Sequence, residues 1–392
     1  MNLPHLASHS ACTGCMACID ACSKEALNSY VGADGHYYIH LDEKRCVGCL
    51  RCESTCPVVS DFQYSNSEIC HCYAAWNKDD DIRQQSASGG VFAAMAAYVI
   101  DRQGVVVGAA TIGMDVKHVT IEKKSDLPMQ QGSKYTQSDC RGIYYQTIEL
   151  LKNGRLVLFS GTGCQIAGLM SFLRKHSFTG QLITVDLICG GVPSKLLQQA
   201  FLKNEPHHLT RIVSYRTKET GWKPKGFSYN LKAANSEGIV FDYAGQRNLI
   251  TDGYGSELTN RYSCYKCKFA GLFRQSDFTI GDCWGDAQLP EQHTRGLSVV
   301  IAHSERAEKM LADLTPYMET VPASLTEVVK HNPRLVDGRK RYEHFPERRF
   351  ISWLFSHCSY GTLKRIYASD YSSHSPWMLL KVIRHIAKRT LR

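Results

Sequence analysis

Two stretches of the sequence share one cysteine pattern: CTGCMACIDAC at residues 12–22 and CVGCLRCESTC at residues 46–56. Each has the form C-x2-C-x2-C-x3-C, and every cysteine of the second stretch lies 34 residues after its counterpart in the first. Eight of the seventeen cysteines fall in these two runs. Gly14 and Gly48 occupy matching places, where a small residue permits a tight turn. The front of the chain therefore contains an internal repeat that gathers thiols.

The spacing within each run is that of bacterial ferredoxins, in which three close thiolates hold one [4Fe–4S] cluster and the fourth reaches the other cluster. The pattern between the runs, from Gly35 to Leu41, alternates like a short strand. A pair of zinc sites is the alternative, but zinc motifs rarely present four cysteines in this rhythm twice. We therefore expect residues 1–68 to form an α+β, ferredoxin-like module with two clusters. The crossed pattern predicts one ligand set of Cys12, Cys15, Cys18 and Cys56 and another of Cys46, Cys49, Cys52 and Cys22.

Composition and charge limit the function classes. With 21% charged and 10% aromatic residues, the 392-residue chain is neither disordered nor collagen-like. Residues 331–392 contain 13 Lys and Arg against 4 Asp and Glu, whereas the preceding 330 residues hold 33 of each sign. A neutral body with a basic tail does not favour nucleic-acid binding.

The start of the chain and its apolar stretches predict the compartment. The first residues have no secretory signal pattern, and the longest apolar stretch, Val91 to Ile100, is too short to span a bilayer. We therefore expect a cytoplasmic protein, in which many cysteines indicate metal sites more than disulfides.

Residues 69–330 alternate between apolar strands and helical patterns. This alternation predicts an α/β domain with a mainly parallel sheet. The serines of Ser86-Ala87-Ser88-Gly89-Gly90 are candidate caps for the first helix. The predicted strands are Val105–Ile112, Arg155–Ser160 and Leu182–Ile188, and the predicted helices are Val91–Asp101, Gln165–His176 and Ser194–Lys203.

Two further cysteines follow the carboxyl ends of neighbouring predicted strands. Cys164 and Cys189 each lie beside glycine, and parallel strands would bring them to the same edge of the sheet. Cys264 and Cys267 form a C-x2-C pair later in the chain. These four residues are candidate ligands of a third [4Fe–4S] cluster. Buried structural thiols and a zinc site are the alternatives. No role is assigned to Cys70, Cys72, Cys140, Cys283 and Cys358.

A series of motifs covers roughly residues 70 to 300. It comprises Ser86–Gly90, Gly132–Tyr135, Gly161–Gln165, Cys189–Ser194, Tyr215–Lys218, Gly221-Trp222, Cys264–Ala270 and Ser276–Gly285. In this order the motifs resemble the beta-subunit family of coenzyme F420 hydrogenases and dehydrogenases. The resemblance implies an iron–sulfur flavoprotein that binds FAD, with the third cluster close to the flavin. It makes these residues candidates for the flavin and substrate pocket: Ser88, Gly89, Gly90, Lys134, Thr162 and Asp282.

The resemblance implies a redox function without fixing the substrate. The family extends to organisms that lack the deazaflavin coenzyme, with members beside polysaccharide genes and a chlorophyll-reducing branch. The expected partners are ferredoxin or another one-electron protein, and a deazaflavin or another two-electron acceptor. An electron-transfer subunit without its own substrate is the alternative. Two positions depart from the family pattern: Gly163, where proline is frequent, and Cys283, where a bulky apolar residue is common.

Two basic features have alternative interpretations. Lys134 and Arg216 are candidates to counter phosphate or substrate charge, or else belong to an ordinary solvated surface. Residues 376–392 have the pattern of a basic amphipathic helix. Such a helix suits contact with an anionic surface at the inner face of a membrane, but we favour docking on the body or on a partner.

Overall fold

The computed structural model describes residues 2–60, 71–219, 221–222, 230–284, 289, 291–337 and 348–368. Among these residues the strands are β1 Leu27–Val31, β2 Tyr37–Leu41, β3 Cys72–Asn77, β4 Val105–Ile112, β5 Asp115–Ile121, β6 Ser138–Asp139, β7 Leu156–Thr162, β8 Gln181–Leu187, β9 Leu209–Ser214, β10 Lys232–Asn235, β11 Val240–Asp242, β12 Phe278–Asp282, β13 Ser298–Ala302 and β14 Met318–Pro322. The α-helices are α1 Ala17–Asp20, α2 Arg51–Thr55, α3 Asp80–Gln85, α4 Val91–Asp101, α5 Leu127–Gln130, α6 Ile143–Lys152, α7 Gly163–Leu173, α8 Lys195–Asn204, α9 Leu249–Ser256, α10 Glu305–Asp313, α11 Leu325–His331, α12 Arg348–His357 and α13 Tyr360–Ala368.

The body is built on a nine-stranded sheet in the order β14-β3-β13-β12-β8-β7-β4-β5-β6. The pairs β12–β8, β8–β7, β7–β4 and β5–β6 are parallel, and the other pairs in this sheet are antiparallel. The sheet is therefore mixed, where we expected a mainly parallel one. One reason is the two-residue connection Gly113-Met114, since a hairpin this short can only join antiparallel strands. The α/β character of the body is confirmed.

The predicted elements around the central strands are present. α4 and β4 have the predicted bounds, and β7, β8, α7 and α8 lie within a few residues of theirs. The expected serine caps are wrong, because the residue that precedes α4 is Gly90 with φ 84°. Ser86 Oγ instead donates to the Ile82 carbonyl (2.8 Å) and Ser88 Oγ to the Leu297 carbonyl (2.7 Å). A Cβ on Gly89 would lie 2.4 Å from the Ala75 carbonyl oxygen, so only glycine fits where this turn crosses β3.

Helix α4 lies in the main core of the body. Met95 and Val99 pack with Leu158 of β7, Ile183 of β8 and Phe278 of β12, and all five are buried. Each such side chain contributes about 1.5–3 kcal/mol through removal of apolar surface from water. This packing fixes the central strands, whose carboxyl ends carry the cysteine loops.

The front of the chain is a small strand-and-helix module that packs on the body. β1 and β2 form an antiparallel hairpin, which confirms the short strand expected before Leu41. Met16 and Tyr37 of the module share a buried cluster with Ile148 of α6 and Phe172 of α7. The ferredoxin-like description and the domain boundaries after residues 68 and 330 stay predictions. Cys70 and residues 376–392 lie outside the described residues.

A second, smaller sheet has the order β11-β10-β9. In the part of the chain that the structure describes, no helix has the length and apolar character needed to cross a membrane.

Candidate functional site

The first group of thiols lines a cavity of about 110 Å³ in the module. Its members are Cys12, Cys15, Cys18 and Cys56. Positive φ angles at Gly14 and Met16, both 68°, turn the loop before α1 so that three thiols of the first run face this cavity. Burial, together with the nearby thiols of Cys56 and Cys12, raises the pKa of Cys15 to about 12. Thiolates this crowded require positive charge between them, which iron supplies.

The second group of thiols repeats this arrangement at the other end of the module. A smaller cavity is lined by Cys22, Cys46, Cys49 and Cys52. Gly48 (φ 68°) and Leu50 (φ 56°) turn the loop before α2 as their counterparts do before α1. Burial, with the thiols of Cys22 and Cys49, raises the pKa of Cys52 to about 11. The structure thus places the fourth cysteine of each run with the three leading cysteines of the other.

A third group forms at the carboxyl edge of the central sheet. β7 and β8 are parallel, so Cys164 and Cys189 follow them at the same edge, as expected. Burial raises the pKa of Cys164 well above its ordinary value, with further contributions from Cys267, Cys189 and Cys264. Burial and the thiols of Cys189 and Cys267 raise the pKa of Cys264 to about 11. The four thiols are therefore close enough to act on one another electrostatically.

The thiol groups differ from a single-ion site. Among the described residues, no three His, Cys, Asp or Glu side chains are arranged to hold one metal ion. The four thiolates of a cubane each bind a different iron atom and need not converge on one point. Backbone N–H groups point at sulfurs of these groups. Ala26 N–H donates to Cys22 Sγ (3.3 Å), Gly191 N–H to Cys189 Sγ (3.3 Å) and Gly48 N–H to Cys46 Sγ (3.5 Å).

A buried ion pair supports the third group, and no sequence motif indicated it. Arg274 Nη1 lies 3.3 Å from Asp186 Oδ2, and the two side chains are 3% and 1% exposed. Arg274 also donates to the carbonyls of Gly271 (2.6 Å) and Phe269 (3.1 Å), in the segment that follows Cys267. A Cβ on Gly163 would lie 2.8 Å from the Phe269 carbonyl oxygen, so the departure from proline at this position matches the close approach of that segment.

A cavity of about 280 Å³ lies beside the third group. Five of the six predicted pocket residues line it: Ser88, Gly90, Lys134, Thr162 and Asp282. The sixth, Gly89, lies behind the lining, where its N–H donates to Ser298 Oγ (2.9 Å). Cys164 of the third group and Thr13, between two cysteines of the first run, also line the cavity. The cavity therefore borders one thiol of the third group and the loop that carries the first group.

Lys134 and Arg216 are two basic side chains in the wall of this cavity. Lys134 Nζ donates to the carbonyls of Gln130 and Gln131, each at 2.8 Å, and burial lowers its pKa to about 7. Arg216 Nη1 donates to Asp282 Oδ2 at 2.8 Å. Burial opposes the charge of Arg216, but Asp282 and Tyr135 outweigh it and raise the pKa of Arg216. Both cations line the cavity, so the interpretation as ordinary solvated surface is wrong.

Known families match this arrangement along the chain. A model of a 4Fe-4S dicluster domain matches residues 11–59. Models of the N-terminal and C-terminal parts of the coenzyme F420 hydrogenase/dehydrogenase beta subunit match residues 72–144 and 154–324, together more than half of the chain. The chain belongs to the coenzyme F420 hydrogenase/dehydrogenase beta-subunit family. It is an iron–sulfur electron-transfer member of this oxidoreductase family.

Chains of solved structures that are similar to this family member include one from the F420-reducing [NiFe] hydrogenase complex from Methanosarcina barkeri, with 16% sequence identity and a TM-score of 0.46. The match covers 69% of this chain and 91% of that chain. Among curated proteins, none matches this sequence.

Hydrogen bonds link the loop of the first thiol group to the segment that precedes Cys264 of the third group. The carbonyl of Cys12 accepts from Arg261 Nε (2.6 Å) and from Ser263 Oγ (3.1 Å), and Ser263 immediately precedes Cys264. The Tyr144 hydroxyl lies 2.8 Å from the Cys15 carbonyl, to which it donates. Sequence reasoning missed these residues, and the only signal was the position of Ser263 beside the C-x2-C pair. Through these bonds the family's body and the dicluster module form one site.

The structure also places four of the five unassigned cysteines. Cys140 is buried beside the cavity wall, where Gln165 Nε2 donates to its sulfur (3.1 Å) and His118 Nδ1 lies 3.3 Å away. Burial raises the pKa of Cys140 and lowers the pKa of His118 to about 4, so both are neutral at pH 7. Cys72 and Cys283 are buried in the apolar core, and Cys358 is partly buried.

Proposed function

We propose that this family member is an iron–sulfur flavoprotein oxidoreductase that passes electrons between a one-electron partner and a two-electron acceptor. The observation that carries the proposal is the cavity of about 280 Å³, which is lined by Cys164 of the third thiol group and by Thr13 in the loop that carries the first. Ferredoxin is the expected class of one-electron partner, and a deazaflavin or another two-electron carrier the expected acceptor. The proposed cluster ligands are the three groups Cys12, Cys15, Cys18 and Cys56; Cys22, Cys46, Cys49 and Cys52; and Cys164, Cys189, Cys264 and Cys267.

The residues of the three groups fit [4Fe–4S] clusters. Each group supplies four soft thiol ligands, and iron–sulfur clusters prefer thiolate. Glycines with positive φ shape the two module loops, and backbone N–H groups point at sulfur in the second and third groups. When bound, the clusters carry single electrons. The protein determines their order in space and the hydrogen bonds that tune them.

The residues of the large cavity fit FAD. Gly89 and Gly90 bring backbone close to the cavity at the start of α4, whose N-terminus favours negative charge. Lys134 is placed to pair with a phosphate of FAD. Burial disfavours the protonated form of Lys134, and binding of an anion would favour it again. The Arg216–Asp282 pair is held in a fixed place in the wall. When bound, the flavin links one-electron and two-electron chemistry.

Anaerobic purification with cofactor analysis tests the proposal. We expect about twelve irons per chain, corresponding to three clusters, together with one FAD. Replacement of Cys264 and Cys267 by serine should lower the iron content to about eight. As the matched control, replacement of Cys72, a buried cysteine outside the three groups, should leave twelve. Twelve irons without flavin would instead indicate an electron-transfer subunit with no substrate of its own, and an iron content insensitive to Cys264 would exclude the third ligand set.

A further inference from the structure

A buried arginine lies between the first and third thiol groups. The side chain belongs to Arg261, which is 1% exposed. Its backbone N–H donates to the Val192 carbonyl (2.8 Å), three residues after Cys189, and its own carbonyl accepts from the Cys264 N–H (2.9 Å). The main chain of Arg261 is therefore part of the loops that carry the third group.

The side chain of Arg261 reaches the loop of the first group. Nε donates to the Cys12 carbonyl at 2.6 Å, and Nη1 donates to Gln137 Oε1 at 3.1 Å. Gln137 Nε2 in turn donates to the carbonyls of Thr13 (3.3 Å) and Gly14 (3.1 Å). A Cβ on Gly14 would lie 2.8 Å from Nη1, so the glycine permits this close approach as well as the turn. One side chain thus contacts the first group while its main chain belongs to the third.

The contacts that the structure describes for the guanidinium are with neutral groups. The ring centroid of Tyr38 lies 4.7 Å from Cζ, and Nη2 is buried without a hydrogen bond to any residue that the structure describes. A buried cation is costly unless opposite charge lies nearby, and thiolates of the two groups would supply it. Burial raises the pKa of Cys264 to about 11, and the charge of Arg261 partly opposes this rise. The charge of Arg261 therefore acts on the third group.

We propose that Arg261 is a positioning residue that raises the reduction potentials of the first and third groups together. The inference rests on the proposed function, because it takes both groups to hold [4Fe–4S] clusters. Reduction adds one negative charge to a cluster, so a buried cation beside it favours the reduced state. Because the same charge lies beside both groups, it raises both potentials without strongly favouring one group over the other. An electron lost on one side is then gained on the other, with no bond made or broken.

Arg261→Gln removes the charge while keeping an amide donor, and so tests the proposal in the full-length holoprotein. An anaerobic redox titration followed by electron paramagnetic resonance measures the potential of each reduction step. At a fixed potential, the ratio of reduced to oxidised cluster should fall on the order of tenfold at two of the steps, which corresponds to about 59 mV each. The step of the second group, at the other end of the module, should stay unchanged. Both shifts should persist at about 0.5 M salt, because a buried charge is screened little.

Three further variants separate the charge from the structure. Arg261→Lys keeps the positive charge and should keep both potentials close to those of the wild type. Gln137→Glu places a carboxylate beside Nη1 without removing Arg261, and should lower the same two steps. Arg211→Gln, at an exposed position of β9, makes the matched change away from the thiol groups and should leave every step unchanged.

Each remaining outcome supports or overturns the role of Arg261. Unshifted steps in an Arg261→Gln protein that keeps about twelve irons would overturn it, as would equal shifts in the lysine and glutamine variants. If Arg261→Gln loses iron, Gln137→Glu decides in its place. Loss of iron from all three variants of Arg261 and Gln137 would make the arginine an anchor only and overturn the proposal.

The cofactor content of the wild type separates a failure of this inference from a failure of the proposed function. Twelve irons without FAD, with both steps shifted in Arg261→Gln, would leave the role of Arg261 standing while the flavin part of the proposed function fails. About eight irons in the wild type would contradict the third cluster of the proposed function. Twelve irons with FAD and unshifted steps would contradict the role of Arg261 alone.

Discussion

Replacement of Arg274 by methionine tests how the third thiol group is held. The change removes the cation that lies 3.3 Å from the buried Asp186 carboxylate, which then retains the Thr279 hydroxyl as a hydrogen-bond donor (2.5 Å). Breaking one side of a buried ion pair costs about 3–5 kcal/mol of unfolding free energy. At roughly 2–4 °C per kcal/mol for a domain of this size, we expect the thermal midpoint to fall by about 10 °C.

The loss of stability should depend on pH. Burial raises the pKa of Asp186 above its ordinary value, and Arg274 and Thr279 partly offset this. Without Arg274 the pKa rises further. A carboxyl group whose pKa is raised in the folded state favours folding at pH values below its unfolded pKa, about 4, and this advantage is lost as the pH rises. The penalty of Arg274→Met should therefore be smaller at pH 5 than at pH 8.

Thermal unfolding of the anaerobic holoprotein at these two pH values, with iron analysis, checks both expectations. We also expect a fall from about twelve to about eight irons, because the carbonyls of Phe269 and Gly271 lose their donor next to Cys267. Arg211→Met, at an exposed position of β9, is the matched control. Adding Asp186→Asn should recover much of the midpoint, since no unpaired charge then remains. A midpoint within about 2 °C of wild type, with full iron content, would refute this account of the ion pair.

Three further predictions concern other contacts of the site. Thr162→Val removes the hydroxyl that lies 3.2 Å from Cys164 Sγ. Because hydrogen bonds to cluster sulfurs raise the reduction potential, a redox titration should show a lower potential for the cluster proposed at the third group, and an unchanged potential would contradict the contact. Asp20→Ala removes a carboxylate that accepts hydrogen bonds from three backbone N–H groups at the start of α6. The unfolding free energy should fall by about 1–2 kcal/mol, and Asp20→Asn should lower it by less. If FAD binds as proposed, Lys134→Met should abolish the proton uptake expected on its binding at pH 8, since burial holds the pKa of Lys134 at about 7 before the anion binds. Calorimetry in two different buffers measures this uptake, and an uptake equal to that of the wild type would exclude Lys134 as its source.

Site residues that belong to a local sequence motif could be predicted from the sequence. Site residues that are far apart in the chain and come into contact only in the folded protein could not. The rhythm of the two cysteine runs is enough to pair Cys56 with the first run, because ligand spacing is a local property. The parallel strands β7 and β8 likewise follow from apolar patterns. Arg274 and Asp186 lie 88 residues apart, and neither belongs to a repeat or a turn signature. The antiparallel pairing of β12 with β13 was missed for the same reason, since it depends on packing between separate segments. The antiparallel pairing of β4 with β5 is different, because it follows from the local connection Gly113-Met114.

The contacts of the module argue for a fixed position rather than a tethered carrier. The Asp20 carboxylate accepts from the first N–H groups of α6, and the Cys12 carbonyl accepts from Arg261 and Ser263 of the body. These bonds involve the segment that carries the first thiol group. They therefore hold the first group, rather than the second, close to the third group. The crossed grouping of the two cysteine runs leaves Cys49 exposed, while Cys56 lies with the three leading cysteines of the first run. The proposed order of the clusters, from the group that contains the exposed Cys49 through the first group to the cavity beside Cys164, follows from where the module is attached.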